Sequence, residues 1–310
     1  MPTTILISSN ADNLRAALAK YERTATVEAE YGDAVVNGSI ATLAHHGPRK
    51  ANPCPCQVPN FLGVEFDAIG VSHIDLDTLG GIMAVLGIRP TNPMATAFWR
   101  VAAYVDVNGV HKLDRFPWLD LPYSRETVMD MLHAYYAWSE KNRIYAPRDG
   151  SALDITEKVM DGVKVWTAFL NSHPGYQNYE YLVEGGKAFA FREGTLNAMS
   201  LKAMIVRGGV LFRVSDRFVN HLYTVNGATF VARAVVGYNT ETKAITVSVS
   251  DPLPGFSCRE YVQSAWGAGA GGHDGIAGSP RDRQFSYDEA EAVAYDLSAE
   301  LVNKFGVVQP

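Results

Sequence analysis

The stretch Ala68–Leu86, AIGVSHIDLDTLGGIMAVL, decides the fold that we expect for this chain. Its apolar run 68–72 suits a buried strand, and residues 78–86 are typical of a helix. His73, Asp75 and Asp77 fall in the turn between the two. In an open parallel sheet, ligands bind in the crevice at the carboxyl ends of the strands, where such a turn lies. The stretch therefore predicts one strand–helix step with polar residues at its binding edge.

The flanking sequence repeats this alternation of strand-like and helix-like segments. Residues 4–8 read as a short apolar strand, residues 11–21 as a helix, and residues 40–44 as a further apolar strand. Alternating strands and helices are typical of an α/β layer with a parallel sheet. We therefore predict a parallel-sheet α/β domain over residues 1–145.

The middle of the chain is predicted to be helical. Residues 124–141 carry apolar positions at helical spacing, which indicates an amphipathic helix. Ser151 and Asp154 have the spacing of a capping box, and an apolar face continues from Ile155 to Leu170. We assign residues 146–208 as a helical connection between two domains.

The C-terminal third predicts a second, smaller α/β domain over residues 209–310. Residues 245–250 alternate apolar and polar side chains, as in a half-buried strand. A helix is predicted over residues 258–266, followed by a glycine-rich stretch. Ser286 and Glu289 then form a capping box that opens a final helix.

Composition and charge narrow the classes of function. The chain has 310 residues with 27 Lys and Arg against 33 Asp and Glu, a formal net charge of −6. This acidic balance disfavours an extended nucleic-acid surface, which needs a basic stripe. Three cysteines suit a reducing compartment, and the first residues lack a basic signal region. We therefore expect a cytoplasmic protein without a membrane segment.

The turn after residue 72 is the strongest chemical signal. Alternate residues of an extended segment point the same way, so His73, Asp75 and Asp77 are candidates to converge on one cation. Imidazole with carboxylates suits manganese, iron or zinc, and carboxylates with water suit magnesium. The alternative is that Asp77 only caps the following helix and that His73 is a solvated loop residue.

A histidine pair, His45 and His46, follows the predicted strand at residues 40–44. At a strand end, one imidazole of such a pair can bind a metal while the other faces the substrate. Cys54 and Cys56 follow closely and could join the pair on zinc. However, C-x-C lacks the usual two-residue spacing and a second pair, so a rigid proline-bracketed loop is the alternative.

Asp106 ends an apolar, helix-like run and is a candidate further carboxylate ligand. His111 is a weaker candidate. The alternative for this segment is a polar turn built on Asn108-Gly109, which is a strong turn dipeptide.

The glycine-rich stretch 267–278 is a candidate anion site. Its glycines permit close backbone approach, and consecutive backbone N–H groups in such a loop can form an anion nest. Gly271 and Gly272 lie in this loop, and His273 and Arg281 could add charge-assisted hydrogen bonds to a phosphate. Neither P-loop nor Rossmann spacing is present. The alternative is a flexible lid or linker.

Taken together, these motifs resemble the DHH phosphoesterase family. The sequence His73-Ile74-Asp75-Leu76-Asp77 resembles the first metal motif of the family. The run from about Val235 to the glycine-glycine-histidine loop at 271–273 and Ala277-Gly278 resembles its associated C-terminal domain. The two parts cover about half of the chain.

The resemblance implies a two-metal site, usually manganese and otherwise magnesium, that hydrolyses phosphodiester or phosphoanhydride bonds. It implies that His45, His73, Asp75, Asp77 and Asp106 are metal ligands. Asp106 and His46 would also serve catalysis, His46 near the substrate. The C-terminal loop would contact the substrate phosphate.

The chain departs from the family pattern in two ways. Ala44 stands where the family's namesake motif has an aspartate, so one carboxylate is missing. The His-His pair also precedes the His-x-Asp-x-Asp motif, whereas in the family it follows. A circularly permuted sheet would preserve the geometry.

We therefore expect an enzyme, a metal-dependent phosphoesterase acting on a small nucleotide or short oligonucleotide in an interdomain cleft. The expected partner is a small phosphorylated substrate, and the sequence leaves a homodimer open. One alternative is a catalytically silent phosphate- or nucleotide-binding protein, which Ala44 favours. The other is a zinc hydrolase of a non-phosphate substrate, built from His45, His46, Cys54 and Cys56.

Overall fold

A computed structural model of the chain describes residues 3–172, 178–198, 204–206, 209–225 and 230–307. The chain forms two compact units. The first comprises Met1–Val107 and Lys112–Phe191, and the second comprises Asn108–His111 and Arg192–Pro310.

The first unit is built on a five-stranded sheet in which four strands run parallel. The sheet order is β5-β2-β6-β1-β7, and the last strand is antiparallel to its neighbour. Strands β3 and β4 form a separate hairpin. The strands of this unit are β1 (Thr4–Ile7), β2 (Thr24–Val27), β3 (Glu30–Tyr31), β4 (Ala34–Val35), β5 (Ala41–Leu43), β6 (Ala68–Val71) and β7 (Leu153–Asp154).

The helices of this part of the chain are α1 (Ala11–Leu18), α2 (Leu76–Val85), α3 (Pro93–Asn108), α4 (Arg125–Lys141), α5 (Thr156–Asn171) and α6 (Glu180–Ala198). Every residue of α2 is buried, as its almost wholly apolar sequence requires. The side chain of Asp75 caps this helix by accepting a hydrogen bond from the N–H of Thr78 at 2.8 Å. The cap fixes the start of α2 at Leu76, a short turn after β6 ends at Val71.

The second unit contains a six-stranded sheet with the order β14-β15-β13-β12-β9-β8. Only the β9–β12 pair is parallel among the pairings described. Val236, Val247 and Leu297 belong to its apolar core. The elements are β8 (Met204–Val206), β9 (Val210–Ser215), β10 (Thr224–Val225), β11 (Phe230–Val231), β12 (Ala234–Asn239), β13 (Ile245–Val249), α7 (Cys258–Trp266), β14 (Gly271–Gly272), β15 (Ile276–Gly278) and α8 (Tyr287–Phe305).

The predicted α/β class is confirmed, with a largely parallel sheet in the first unit and a second sheet in the other. Strand β13 and helix α7 form where they were predicted, and Ser286 and Glu289 form the predicted capping box. Strand β13 is more buried than the half-buried strand predicted, because Ser248 is also enclosed, with 1% of its surface exposed. The segment 146–208, predicted as a helical connector, lies partly outside the described residues. Its described part contains helices α5 and α6, but also strand β7, which pairs with β1 in the first sheet.

Two local predictions are wrong. Ser151 does not cap α5, because its N–H and hydroxyl both donate to Asp149, at 3.0 and 2.7 Å. The residue before α5 is Ile155, and Asp154 instead accepts hydrogen bonds from Thr156. Helix α2 also begins at Leu76, two residues earlier than predicted, because Asp75 rather than Asp77 is its cap.

Within the described part of the chain, every helix is too short or too polar to cross a lipid bilayer.

Candidate metal centre

The candidate site lies at the carboxyl ends of three parallel strands. Glu28 follows β2, His45 and His46 follow shortly after β5, and His73 follows shortly after β6. Because β5, β2 and β6 are neighbours and parallel, these residues emerge at the same edge of the sheet. The fold therefore gathers residues that are far apart in the sequence.

The centre of the site is the Nε2 atom of His45, which three carboxylates approach. It lies 3.1 Å from Oε1 of Glu28, 3.3 Å from Oδ2 of Asp77 and 3.2 Å from Oδ2 of Asp106. Asp77 comes from the first turn of α2, and Asp106 comes from the last turn of α3. The structure thus brings together three residues that the sequence singled out, His45, Asp77 and Asp106.

Two of these acidic groups are buried, and Asp106 is partly buried. Glu28 is fully buried and Asp77 is 2% exposed. Within the described residues, neither Glu28 Oε1 nor Asp77 Oδ2 receives a hydrogen bond of normal geometry. A single imidazole nitrogen can direct one N–H at one oxygen only, so it cannot satisfy three carboxylates at once. A buried cluster of this composition calls for a cation.

The titration of the cluster reflects the same excess of negative charge. Burial acts to lower the pKa of His45, but contacts with Asp106, Asp77, Cys54 and Glu28 raise it far above its ordinary value. Burial raises the pKa of both Asp77 and Asp106, against the influence of His45. In the metal-free protein, protons therefore partly neutralise the charge that a metal ion would otherwise neutralise.

The donor atoms fit a divalent cation. One imidazole nitrogen and several carboxylate oxygens are ligands that manganese accepts, and carboxylates suit magnesium. One potential ligand atom from each of His45, Cys54, Asp77 and Asp106 lies within 4.8 Å of the others. Glu28 adds a fourth group through its contact with His45.

His73 and Asp75 form a second group at the same edge. Nε2 of His73 lies 3.1 Å from Oδ2 of Asp75 and 4.0 Å from Oε2 of Glu28. Partial burial acts to raise the pKa of Asp75, but His73 and the N–H of Thr78 lower it below its usual range. Because the other oxygen of Glu28 contacts His45, Glu28 links this group to the first one.

Of the three residues predicted to converge, only His73 and Asp75 contact each other, whereas Asp77 contacts His45. Side chains alternate only in extended backbone, and α2 begins at Leu76. Asp77 therefore lies on a helix and contacts His45, whereas His73 and Asp75 contact each other. The three predicted ligands are therefore divided between two neighbouring groups, one with His73 and Asp75 and one with Asp77 and His45.

His46 is held by Glu28. Its Nε2 forms a short hydrogen bond with Oε2 of Glu28, and its ring lies 4.4 Å from that of His45, centroid to centroid. Burial lowers the pKa of His46 to about 4. His46 is therefore uncharged at neutral pH, so Nε2 donates its proton to the carboxylate.

The carboxylate of Glu30 holds the main chain of the histidine pair. Its carboxylate accepts the N–H groups of His45 and His46 at 3.2 Å and the Nε–H of Arg49 at 2.9 Å. Because these donors use both oxygens of Glu30, we assign this carboxylate to positioning and not to metal binding. Arg49 also donates to the main-chain oxygen of Asp33, which ties the segment to the β3–β4 hairpin.

Sequence reasoning missed Glu28 and Glu30. Strand β2 is only four residues long and is flanked by charged residues, which leaves its apolar signal too weak to predict a strand end there. The usable signal was the run Thr24–Val27, whose β-branched residues favour a strand. Glu28 also has a positive φ of 51°, which is uncommon for a residue other than glycine and which the sequence does not reveal.

One of the two nearby cysteines reaches the site. Sγ of Cys54 lies 3.6 Å from Nδ1 of His45 and within 4.8 Å of potential ligand oxygens of Asp77 and Asp106. The thiol of Cys56 instead donates to the main-chain oxygen of Trp99 at 3.7 Å. The structure thus brings Cys54 to His45 and directs Cys56 elsewhere.

His111 lies outside the candidate site. It belongs to the second unit, where its Nε2 lies 3.0 Å from the main-chain oxygen of Ser250. Its ring packs against Tyr223 with centroids 4.4 Å apart.

The glycine–glycine–histidine loop of the second unit forms a hairpin. Gly271 and Gly272 pair with Gly278 and Ala277, and the N–H of His273 donates to the oxygen of Ile276 at 2.6 Å. A Cβ at Gly272 would lie 2.5 Å from that same oxygen, so the turn requires glycine there. His273 is half-buried and Arg281 is exposed. Their predicted contact with phosphate stays a prediction.

Comparison with known proteins gives no match: the chain fits none of the family models searched, and no curated protein resembles it significantly.

Proposed function

We propose that this protein is a metal-dependent phosphoesterase that hydrolyses a phosphodiester or phosphoanhydride bond of a small nucleotide or short oligonucleotide. The observation that supports this most is the convergence of Glu28, Asp77 and Asp106 on Nε2 of His45. The cluster is buried, acidic and located where parallel sheets bind ligands.

The residues divide into two groups of ligands. His45, Asp77 and Asp106 would hold one manganese or magnesium ion, and His73 and Asp75 would hold a second. Glu28 contacts both groups through its two oxygens, which suits a carboxylate shared between two ions. A pair of divalent cations supplies an activated water and stabilises the leaving oxygen of a phosphate ester.

The charge of the site supports a metal requirement for phosphate binding. The cluster is acidic, and like charge would repel a phosphate that approached it without cations. His46 remains neutral at pH 7, so it adds no positive charge there. We therefore assign His46 to holding Glu28 in place beside the reacting phosphate. His273 and Arg281 stay assigned to the substrate on the family resemblance.

The catalytically silent alternative depends on Ala44. Ala44 is buried and, being alanine, has no carboxylate to offer to the site. Glu28, from the neighbouring strand, supplies a carboxylate to the same cluster. This compensation favours an active enzyme over a silent binding protein.

The test is hydrolysis of bis(p-nitrophenyl) phosphate with and without Mn²⁺ by the wild type and Asp77→Asn. The variant keeps the size of the side chain and one oxygen while removing the charge. We expect Mn²⁺-dependent turnover in the wild type and its loss in the variant, with bound Mn²⁺ lost as well.

Asp161→Asn is the matched control, because Asp161 is an exposed aspartate on α5 that pairs with Lys164. It should leave turnover and Mn²⁺ content unchanged. Mn²⁺ binding without turnover on this ester or on a panel of nucleotides would favour the silent binding protein. Failure of the wild type to bind Mn²⁺ would refute the proposal.

A further inference from the structure

We propose that the segment Pro53–Cys56 is a positioning element of the metal centre: the Cys54 thiol orients the imidazole of His45, and the Cys56 main-chain N–H orients the carboxylate of Asp77. The inference rests on the proposed function, since both residues are assigned there as ligands. It gives a role to a Pro-Cys-Pro-Cys sequence that the proposed chemistry itself leaves unused.

The direction of the hydrogen bonds around Cys54 carries the first half of the argument. Sγ lies 3.8 Å from the main-chain oxygen of Ala103 and 3.6 Å from Nδ1 of His45. A thiol has one proton, and a carbonyl oxygen can only accept, so the S–H donates to Ala103. The sulfur is then left to accept the Nδ1–H of His45.

This arrangement selects the form of His45 that binds metal. With the proton held on Nδ1, a neutral imidazole presents the lone pair of Nε2 to Glu28, Asp77 and Asp106. Metal-binding histidines usually donate their other N–H to a carboxylate or carbonyl, which fixes the ring. Cys54 takes that place here. Although the sulfur lies within 4.8 Å of potential ligand oxygens of Asp77 and Asp106, we assign Cys54 to orienting the ring and not to binding the ion, because its thiol keeps its proton and donates it to Ala103.

Cys56 carries the second half of the argument. Its main-chain N–H donates to Oδ1 of Asp77 at 2.9 Å. The remaining oxygen, Oδ2, is therefore the one that faces His45, at 3.3 Å. Two residues of one short segment thus fix two ligands that come from different strands and helices.

The segment is held rigidly enough for this role. Proline at 53 and 55 restricts the backbone, and the buried guanidinium of Arg89 donates to the main-chain oxygen of Cys56. Helix α2 packs directly against it. A Cβ at Gly80 would lie 2.5 Å from Cβ of Cys56, and one at Gly81 would lie 2.6 Å from Cβ of Pro55.

The experiment compares Cys54→Ala, Cys54→Ser and Cys258→Ala. Cys258 is an equally buried thiol in the core of the second unit and controls for the loss of a buried sulfur. The first readout is the Kd for Mn²⁺ by titration calorimetry. The second is the pair of ring N–H signals of His45, Nδ1–H and Nε2–H, in the metal-free protein by NMR, assigned by their absence in His45→Gln. Urea unfolding checks that each variant is folded.

We expect Cys54→Ala to weaken Mn²⁺ binding about tenfold, at the lower end for such partners because sulfur is a weak acceptor. The Nδ1–H signal of His45 should shift and exchange faster. Cys54→Ser should restore both readouts in part, since a hydroxyl can also donate and accept. Cys258→Ala should change neither.

Unchanged affinity and an unchanged His45 signal in Cys54→Ala would overturn the inference. A tenfold weaker affinity with an unchanged signal would also overturn it, because the loss would then come from packing. If the wild type bound no Mn²⁺, the proposed function would fail, and the NMR comparison would still decide whether Cys54 orients His45.

Discussion

The carboxyl end of the first sheet and the core of the second unit are both buried, but their chemistry is opposite. Glu28 and Asp77 are at most 2% exposed, with oxygens that lack hydrogen bonds of normal geometry among the described residues. Val236 and Leu297 are completely buried in an apolar cluster between the second sheet and its helices. One region buries charge, and the other buries hydrocarbon.

Burial of the apolar side chains stabilises the fold, whereas burial of the carboxylates lowers its stability. Apolar burial contributes about 25 cal/mol per Å² removed from water. Burial of carboxylates without partners costs free energy, and so does the positive φ of Glu28, at about 1–3 kcal/mol for such a residue. We infer that the second core serves stability and that the sheet end serves ligand binding.

The largest stability effect should come from the apolar core. Leu297→Ala should lower the free energy of unfolding by about 2–5 kcal/mol, because it removes buried methyl groups and leaves a cavity. Urea unfolding measures this, and calorimetry should give an unchanged Kd for Mn²⁺. Asp77→Asn should do the reverse: unfolding of the metal-free protein changes little and Mn²⁺ binding is lost. Equal losses of unfolding free energy in the two variants would contradict the inferred difference between the two regions.

A smaller effect should appear as a pH dependence of the metal-free protein. The pKa of His45 is raised in the folded state, so the folded protein holds a proton that the unfolded chain releases above about pH 6.5. Stability is therefore fully present below that pH and falls as pH rises. His45 alone should contribute a slope of at most about 1.4 kcal/mol per pH unit.

Other groups around His45 do not reverse this slope. The pKa values of Asp77, Asp106 and Cys54 are also raised, which gives the same sign. The pKa of His46 is lowered, so its unfolded form binds a proton that the folded form does not, and this opposes the slope near pH 6.5 and fades about one pH unit higher. Urea unfolding between about pH 7.5 and 8.5 therefore measures the slope. His45→Gln should flatten it. A metal-free wild type that gained stability with rising pH would contradict the account.

The smallest effect should come from the cap of α8. Ser286→Ala removes a capping hydrogen bond to the N–H of Glu289 and should cost about 1 kcal/mol of unfolding free energy without changing Mn²⁺ affinity. Ser264→Ala is the control, because Ser264 is exposed inside helix α7 and alanine is the better helix former. A cap effect on metal binding would show that the two regions are coupled.

Local signals in the sequence predicted much of the fold. The strand at residues 245–249 and the capping box of Ser286 and Glu289 were each predicted from neighbouring residues only, and both are confirmed. The Ser151–Asp154 spacing has the same form but is wrong, because Asp149 competes for the serine. A cap motif predicts a helix start only when no nearer acceptor is available.

The candidate site was less accessible to sequence reasoning. His45, Asp77 and Asp106 were recognisable as residue types after predicted elements, and the structure places them in contact. Glu28 follows a four-residue strand whose neighbours in the sheet come from distant sequence. Its role depends on sheet order and on its own backbone conformation, neither of which a local pattern encodes.

The most direct test of the account is an anomalous difference map from crystals of the wild type grown with Mn²⁺. The account predicts a manganese peak coordinated by Nε2 of His45 and by oxygens of Glu28, Asp77 and Asp106, with a second peak near His73 and Asp75. A map without a peak at His45, or with manganese bound only elsewhere, would contradict it.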